Sequence, residues 1–271
     1  MNILDKIVAR KKVEVQAARE KCSLSDLEQS THFQRDTYSL KARLANKEDL
    51  GIIAEFKRHS PSQGDINIDA QVATVTQGYA EYGAVALSVL TDTDFFKGQI
   101  EDVRIARAHN QIPVLRKEFI VDEYQIFEAK SIGADVILLI AECLTAAEIA
   151  AFSKRAQSLG LEVLLEVHSG DQLQKLTPDI TVVGVNNRNL KTFKVDTQTS
   201  IELYHQIPDD FLCISESGIN DPNTIYDLRR QGFDGFLIGE YFMRAEQPHL
   251  RFEEFVQRVR YIEDLLNNAI A

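Results

Sequence analysis

The stretch Gly160-Leu-Glu-Val-Leu-Leu-Glu166-Val-His168-Ser169 contains the repeating unit of the fold in miniature. Side chains alternate across a strand, so Val163, Leu165 and Val167 form an apolar stripe on one face, while Leu164 and Glu166 share the other. Gly160 stands where a preceding helix would end on a left-handed residue, and Ser169 stands where a following helix would be capped. One face is therefore buried under something apolar, and the other ends on a carboxylate.

The same unit recurs along the chain. Apolar, β-branched runs at about 50–57, 84–90, 112–117, 135–140, 161–167, 181–187, 211–216 and 234–239 mark eight strands. Segments of helical spacing at 69–82, 99–109, 122–132, 145–158, 169–176, 196–206, 221–231 and 250–267 alternate with them. Asp122, Thr145, Ser169, Asp196 and Asp221 open helices as cap candidates, and Gly83, Gly133, Gly160 and Gly232 close them. Eight strand–helix units in about 220 residues predict an α/β fold, a (β/α)8 TIM barrel, rather than an open doubly wound sheet. No G-x-G-x-x-G or G-x-x-x-x-G-K-[ST] phosphate loop occurs. Residues 1–49 read as helical, with Ile3, Leu4, Ile7 and Val8 on one stripe and a second segment around Tyr38 to Leu44. The expectation is one barrel domain over 1–271, with 1–49 as a helical extension packed on it.

Composition narrows the function classes. A 271-residue chain that is 44% hydrophobic and 26% charged is ordinary for a soluble globular protein. Its net charge of −11 argues against nucleic acid or an anionic membrane as the main partner, and an anionic substrate requires a local exception. Cys22, Cys143 and Cys213 are too few and too far apart for a disulfide framework or a metal cluster, so a reducing, cytoplasmic setting is expected. The N-terminal segment lacks the apolar core of a signal peptide, and no run reaches a membrane span.

In a barrel of this kind the active site lies at the C-terminal ends of the strands. The runs end on Glu55 and Lys57, Lys117, Glu166, Asn186 and Arg188, Glu216-Ser217-Gly218, and Gly239-Glu240. Alternation puts Glu55 and Lys57 on one face. The fold also places an anion site at the loops after strands 7 and 8, where Ser217, Gly218, Gly239 and Glu240 stand. Read one at a time, these residues also fit plainer roles: a rim ion pair for Glu55 and Lys57, turn residues at Ser217-Gly218 and Gly239, a structural ion pair for Arg188. Glu166 and His168 share a face, but no third ligand has metal-site spacing, and His168 is expected to be a hydrogen-bonded rim residue.

Seven ordered segments carry a specific resemblance: Ile53-Ala-Glu55-Phe-Lys57-Arg-His-Ser60-Pro-Ser62, Ser88-Val-Leu-Thr-Asp92, Pro113-Val-Leu-Arg-Lys117-Glu-Phe119-Ile, Leu165-Glu166-Val-His168, Gly184-Val-Asn186-Asn-Arg188-Asn-Leu190-Lys-Thr-Phe193, Ser215-Glu216-Ser217-Gly218-Ile219 and Leu237-Ile-Gly239-Glu240. Together with the N-terminal Ile-Leu-Asp-Lys-Ile-Val-Ala-Arg-Lys helix, they resemble the indole-3-glycerol phosphate synthase family. The resemblance is to its monofunctional form, since the chain ends soon after the eighth unit.

This resemblance implies closure of the indole ring of 1-(2-carboxyphenylamino)-1-deoxy-D-ribulose 5-phosphate, with loss of CO2 and water, in tryptophan biosynthesis. It implies Lys117 as general acid, and Glu55, Glu166 and Glu216 as carboxylates around the developing cation. Glu166, or Glu55 acting with Lys57, would carry the final dehydration. Lys57 and Ser60, with the backbone around Gly218, Gly239 and Glu240, would hold phosphate and carboxylate groups, and Asn186 and Arg188 would hold substrate and the surrounding charge. Phe96, Phe119, Leu138 and Leu190 would wall the aromatic ring. No metal or organic cofactor is implied, and a monomer or weak homodimer is expected. Gln63 and Gln99 depart from the family pattern, which often has Lys or Arg and Ser there, and Glu118 replaces the usual Asp. Two other readings stay open at this level: a Schiff-base aldolase type of sugar-phosphate barrel using Lys117 or Lys57, and a noncatalytic anion-binding barrel.

Overall fold

The computed structural model describes residues 2–189 and 193–270. Eight strands close into a barrel: β1 Ile52–Phe56, β2 Ala86–Leu90, β3 Val114–Lys117, β4 Val136–Ile140, β5 Glu162–Val167, β6 Val182–Asn186, β7 Leu212–Glu216 and β8 Gly235–Ile238. Neighbours run in the order β1-β8-β7-β6-β5-β4-β3-β2, all parallel, and β2 returns to β1. The register sets Glu55 beside Ser88, Glu166 beside Gly184, and Asn186 beside Glu216. Each expected strand is present, trimmed by a residue or two at its ends.

Alternation partitions the core as the sequence requires. Ile53, Leu115, Leu138, Leu164, Val182, Ile214 and Leu237 point into the barrel and pack on one another. Val163, Leu165 and Val167 point outward into the layer between sheet and helices. Because Glu55, Lys117, Glu166, Asn186 and Glu216 lie two residues beyond inward-facing positions, they share the interior at its C-terminal end.

The outer layer comprises α4 Val72–Glu81, α6 Ile100–His109, α7 Tyr124–Ser131, α8 Ala146–Ser158, α9 Gln198–Tyr204, α10 Pro222–Gln231 and α12 Pro248–Ile270, with short helices α5 Thr93–Phe96 and α11 Glu240–Met243 in the βα loops. Thr145 and Glu148 form a capping box on α8, and Asp221 caps α10. Gly160 and Gly232 leave their helices at φ of +73° and +111°, the left-handed region expected of them. Asp122 and Asp196 sit one residue earlier than a cap, and their carboxylates accept the amides of Tyr124 and Gln198. The segment after β5 is a 3-10 helix, Gly170–Lys175, without a side-chain cap from Ser169; Pro178 soon after it prevents a longer helix.

The extension divides between the two ends of the barrel. Helix α1, Ile3–Lys21, opens with an Asn2/Asp5 capping box and lies over the C-terminal mouth, where Ile3, Leu4 and Ile7 line the cavity described below. After α2, Leu24–Glu28, helix α3, Leu40–Ala45, closes the opposite end: Leu40 and Leu44 join the barrel interior and are fully buried, each worth roughly 1.5–3 kcal/mol. Among the described residues, no helix is long and apolar enough to cross a membrane.

Candidate active site

The C-terminal ends of the strands open into a cavity of about 600 Å³. Every expected site residue lines it except Leu190, which lies outside the described residues. Lys117 is its centre. The ammonium lies 3.0 Å from Glu216 Oε2 and 3.2 Å from Glu166 Oε2. Glu55 takes Lys57 Nζ at 2.6 Å and the Ser88 hydroxyl at 3.3 Å. All three glutamates are buried, so their charges act with little solvent screening.

Burial and charge compete differently at each group. Burial opposes the Lys117 charge, but Glu216, Glu166 and Glu55 outweigh it and hold the ammonium above its ordinary value. Burial pushes Glu55 up, and Lys57 and Lys117 overcome it, leaving the carboxyl below the usual glutamate value. Glu166 ends below that value too: burial is opposed by Lys117, His168 and a hydrogen bond from Asn186. Glu216 goes the other way, because burial and the neighbouring Glu166 prevail over Lys117 and raise it to about 7. Three carboxylates that look alike in sequence therefore divide into two held ionised and one poised near neutrality.

Two glycines make room for these carboxylates. A Cβ at Gly184 would lie 2.1 Å from Glu216 Oε1, and one at Gly239 would lie 2.6 Å from Glu55 Oε1 and 2.7 Å from Glu55 Cβ. The sequence offers Gly239 as backbone for an anion or as a turn residue; its position is also demanded by Glu55. Gly184 was not singled out, although a glycine inside an apolar strand run is a signal of close approach.

At the mouth, Arg188 reaches Glu240 at 3.0 Å and Ser62 at 3.4 Å, while its amide donates to Asn186 Oδ1. Ser217 and Gly218 have φ of +68° and +79°, successive left-handed residues that turn the chain away from β7. Asn187 holds this turn, donating to the Ser217 carbonyl at 3.1 Å and the Ser215 hydroxyl at 3.0 Å. A left-handed serine is strained, and such conformations persist where surrounding bonds fix them. His168 differs from expectation: neither ring nitrogen has a hydrogen-bond partner, and Nε2 lies 3.4 Å from Glu166 Oε1.

The family model for indole-3-glycerol phosphate synthase matches residues 4–255. A relative of that name from Bacteroides thetaiotaomicron is 43% identical over 259 residues, spanning 96% of this chain and 99% of the relative. Another, from Acidovorax sp. (strain JS42), is 44% identical over 255 residues, spanning 91% and 96%. The chain belongs to the indole-3-glycerol phosphate synthase family. Among solved structures, a mutant tryptophan synthase alpha-subunit from Pyrococcus furiosus aligns with a TM-score of 0.59 at 15% identity, covering 78% of this chain and 98% of that one. Thiamine phosphate pyrophosphorylase from the same organism aligns at 0.58 and 15%, covering 82% and 99%. At such identity these two support the barrel fold alone.

Within this family frame the apolar side of the cavity is also in place. Phe96 and Phe119 pack with ring centroids 5.8 Å apart and planes tilted by 38°, and Leu138 on β4 lines the same cavity. Ile3, Leu4, Ile7, Phe193 and Val195 add to the lining and were not anticipated as site residues. The α1 residues carried a signal, a helical apolar stripe, but nothing in that stripe indicates which surface it covers.

Proposed function

We propose that this chain performs the family's ring closure with the following division of labour. The aromatic ring of the anilino-ribulose phosphate lies against Phe96, Phe119 and Leu138, with its ribulose carbonyl at Lys117. The ammonium protonates the carbonyl oxygen as the aromatic carbon attacks, forming the new C–C bond. The condensed intermediate carries an iminium-like nitrogen, and Glu166 and Glu216 stabilise that charge without having to reorganise. CO2 then leaves with its bonding electrons retained in the ring. In the dehydration that follows, Glu166 accepts the proton, and Lys57, steadied by Glu55, donates one to the departing hydroxyl. Ser60 and Arg188, with the backbone amides at Gly218, Gly239 and Glu240, hold the phosphate and carboxylate groups.

The observation that carries this reading is one ammonium shared by Glu166 and Glu216 at the floor of an aromatic-walled cavity. A Schiff-base lysine requires a depressed pKa to be nucleophilic. Lys117 is raised instead, which opposes the aldolase reading. A noncatalytic phosphate cradle has no use for buried strand-end carboxylates around a lysine. We read the chain as a single barrel domain with 1–49 packed on it, acting as a monomer or weak homodimer. Its three free cysteines accord with a reducing cytoplasm.

Indole formation from the anilino-ribulose phosphate is the direct test, and the chain contains no Trp to mask product fluorescence. Turnover is expected, with no borohydride-trapped lysine adduct. A folded protein giving no product, or a trapped adduct during turnover, overturns the reading.

A further inference from the structure

The inner stripe of α1 is Leu4, Ile7, Lys11 and Val15, so a lysine occupies a position otherwise given to apolar side chains. It is buried. Its ammonium lies 2.9 Å from Asp92 Oδ2, 3.1 Å from Glu118 Oε1 and 2.6 Å from Glu14 Oε2. Asp92 and Glu118 are themselves closed to solvent, and Asp92 Oδ2 has no hydrogen-bond partner of good geometry, so the Lys11 charge is what compensates it.

The two carboxylates have parallel tasks. Asp92 follows β2, and its other oxygen accepts the amides of Phe95 at 2.8 Å and Phe96 at 3.2 Å, which fixes α5. Glu118 follows β3, directly after Lys117. Its Oε1 accepts the Phe119 amide at 2.8 Å, and its Oε2 takes the Thr91 hydroxyl at 2.7 Å. Each acid thus anchors the backbone of one phenylalanine of the ring wall. Lys11 is the cation they share.

We propose that Lys11 is a positioning residue: by pairing with Asp92 and Glu118 at once, it sets the separation of Phe96 and Phe119, so that seating α1 over the mouth and building the aromatic wall are one event. Without it, Glu118 keeps only Arg116, 3.9 Å away, and the two buried carboxylates repel across the wall, undiluted by water, which spreads the two turns. Ile3, Leu4 and Ile7 are carried on the same helix, so loss of the anchor also loosens the roof of the cavity. The inference rests on the proposed function for the identity of the ring, and wild-type turnover is the control that separates the two.

The test is steady-state kinetics of Lys11→Met, which preserves length and apolar bulk. With wild type active, KM for the anilino-ribulose phosphate is expected to rise about tenfold with kcat within threefold, because the acid and the carboxylate floor are untouched. An N-alkyl anthranilate should lose competitive affinity to the same degree, while inhibition by inorganic phosphate is retained. A merely structural lysine lowers the melting temperature and leaves that contrast absent. Glu118→Gln supplies the second arm. In wild type it should raise KM about threefold, by weakening the hold on the Phe119 amide. In the Lys11→Met background it should lower KM, by removing one of the two buried carboxylates that have lost their shared cation and so relieving their repulsion. A folded Lys11→Met enzyme with KM within twofold of wild type, equal losses for anthranilate and phosphate, or a Glu118→Gln effect of the same sign in both backgrounds overturns the proposal. If Lys11→Met does not fold, Glu118→Gln alone decides: an unchanged KM and anthranilate affinity overturn it.

Discussion

Gly184→Ala adds one methyl group inside β6 and is expected to disable the site while leaving the barrel standing. The new Cβ would lie 2.1 Å from Glu216 Oε1 and 3.0 Å from Leu164 Cδ1. A carbon–oxygen contact relaxes at about 3.3 Å, so the carboxylate must retreat by roughly 1 Å. Glu216 is 1% exposed and lines the cavity, so the carboxylate can retreat only by moving within the site. Its 3.0 Å bond to Lys117 stretches out of hydrogen-bonding range, and the ammonium swings toward Glu166. A displacement of this size at reacting groups costs on the order of 10²-fold in rate, whereas overpacking of a core costs about 1–3 kcal/mol. The expected result is therefore a kcat lowered about 10²-fold, with a melting temperature lower by a few degrees. Glu216→Asp, one methylene shorter, supplies the control. In that background the alanine no longer meets the carboxylate, so the two losses should not add. Turnover within threefold of wild type for Gly184→Ala, or strict additivity with Glu216→Asp, would refute the steric argument.

Lys117→Ala and Glu166→Gln should each lower kcat by about 10²-fold or more in the indole assay, the scale of lost acid–base catalysis. Glu216→Gln should change the pH dependence of stability. A folded-state value raised from 4.5 to about 7 gives wild type a contribution fully present below pH 4.5 and lost as pH rises through 7. The gap corresponds to roughly 3 kcal/mol, so urea melts should show the variant gaining on wild type between pH 5 and pH 8 by up to that amount. Gly239→Ala should destabilise more than Gly184→Ala, because its Cβ meets not only a movable carboxylate but Glu55 Cβ, a stem fixed to β1; thermal melts of the two variants side by side decide this.

The barrel was legible because its signals are local and periodic. Val163, Leu165 and Val167 against Leu164 and Glu166 already separate outside from inside, and eight such runs leave little choice of architecture. The strand ends were legible for the same reason: a polar residue two positions beyond an inward Leu or Ile must enter the barrel mouth. What escaped lacks a period or depends on distant partners. Helices α5 and α11 and the two-residue ribbon pairing His59–Ser60 with Gly64–Asp65 are too short to repeat a pattern. Arg116 faces outward between Leu115 and Lys117, yet it is buried, bonded to Thr91, the Gln125 carbonyl and Glu128. Lys11 likewise reads as an ordinary helix lysine until Asp92 and Glu118 are brought to it. Equal glutamates in sequence became unequal in place, since only the fold decides that Lys117 and Asn186 favour ionisation of Glu166 while Glu216 receives less compensation.

A phosphate ester entering a protein of net charge −11 meets a local distribution that is far from uniformly acidic. At the floor, Lys117 stands between Glu166 and Glu216, and the site gains negative charge only as Glu216 ionises near pH 7. One layer up, Glu55 and Lys57 cancel. Glu118, which also lines the cavity, is paired from behind by Lys11 and, at 3.9 Å, by Arg116. At the mouth the balance reverses, because Glu240 is shared by two guanidiniums, Arg188 at 3.0 Å and Arg244 at 3.0 Å, leaving, among the described residues of this cluster, one positive charge in excess beside Ser217-Gly218 and Gly239. Arg244 also donates to Gln63, so a cation serves the loop position where the family often carries its own. The gradient runs from positive at the rim to neutral or negative at the floor. An anion is attracted to the rim, and a cation developing on the anilino nitrogen is stabilised at the floor, so the proposed reaction needs its substrate in one orientation only: phosphate outward beside the loops after β7 and β8, ribulose carbonyl at Lys117 and aromatic amine inward by Glu166 and Glu216.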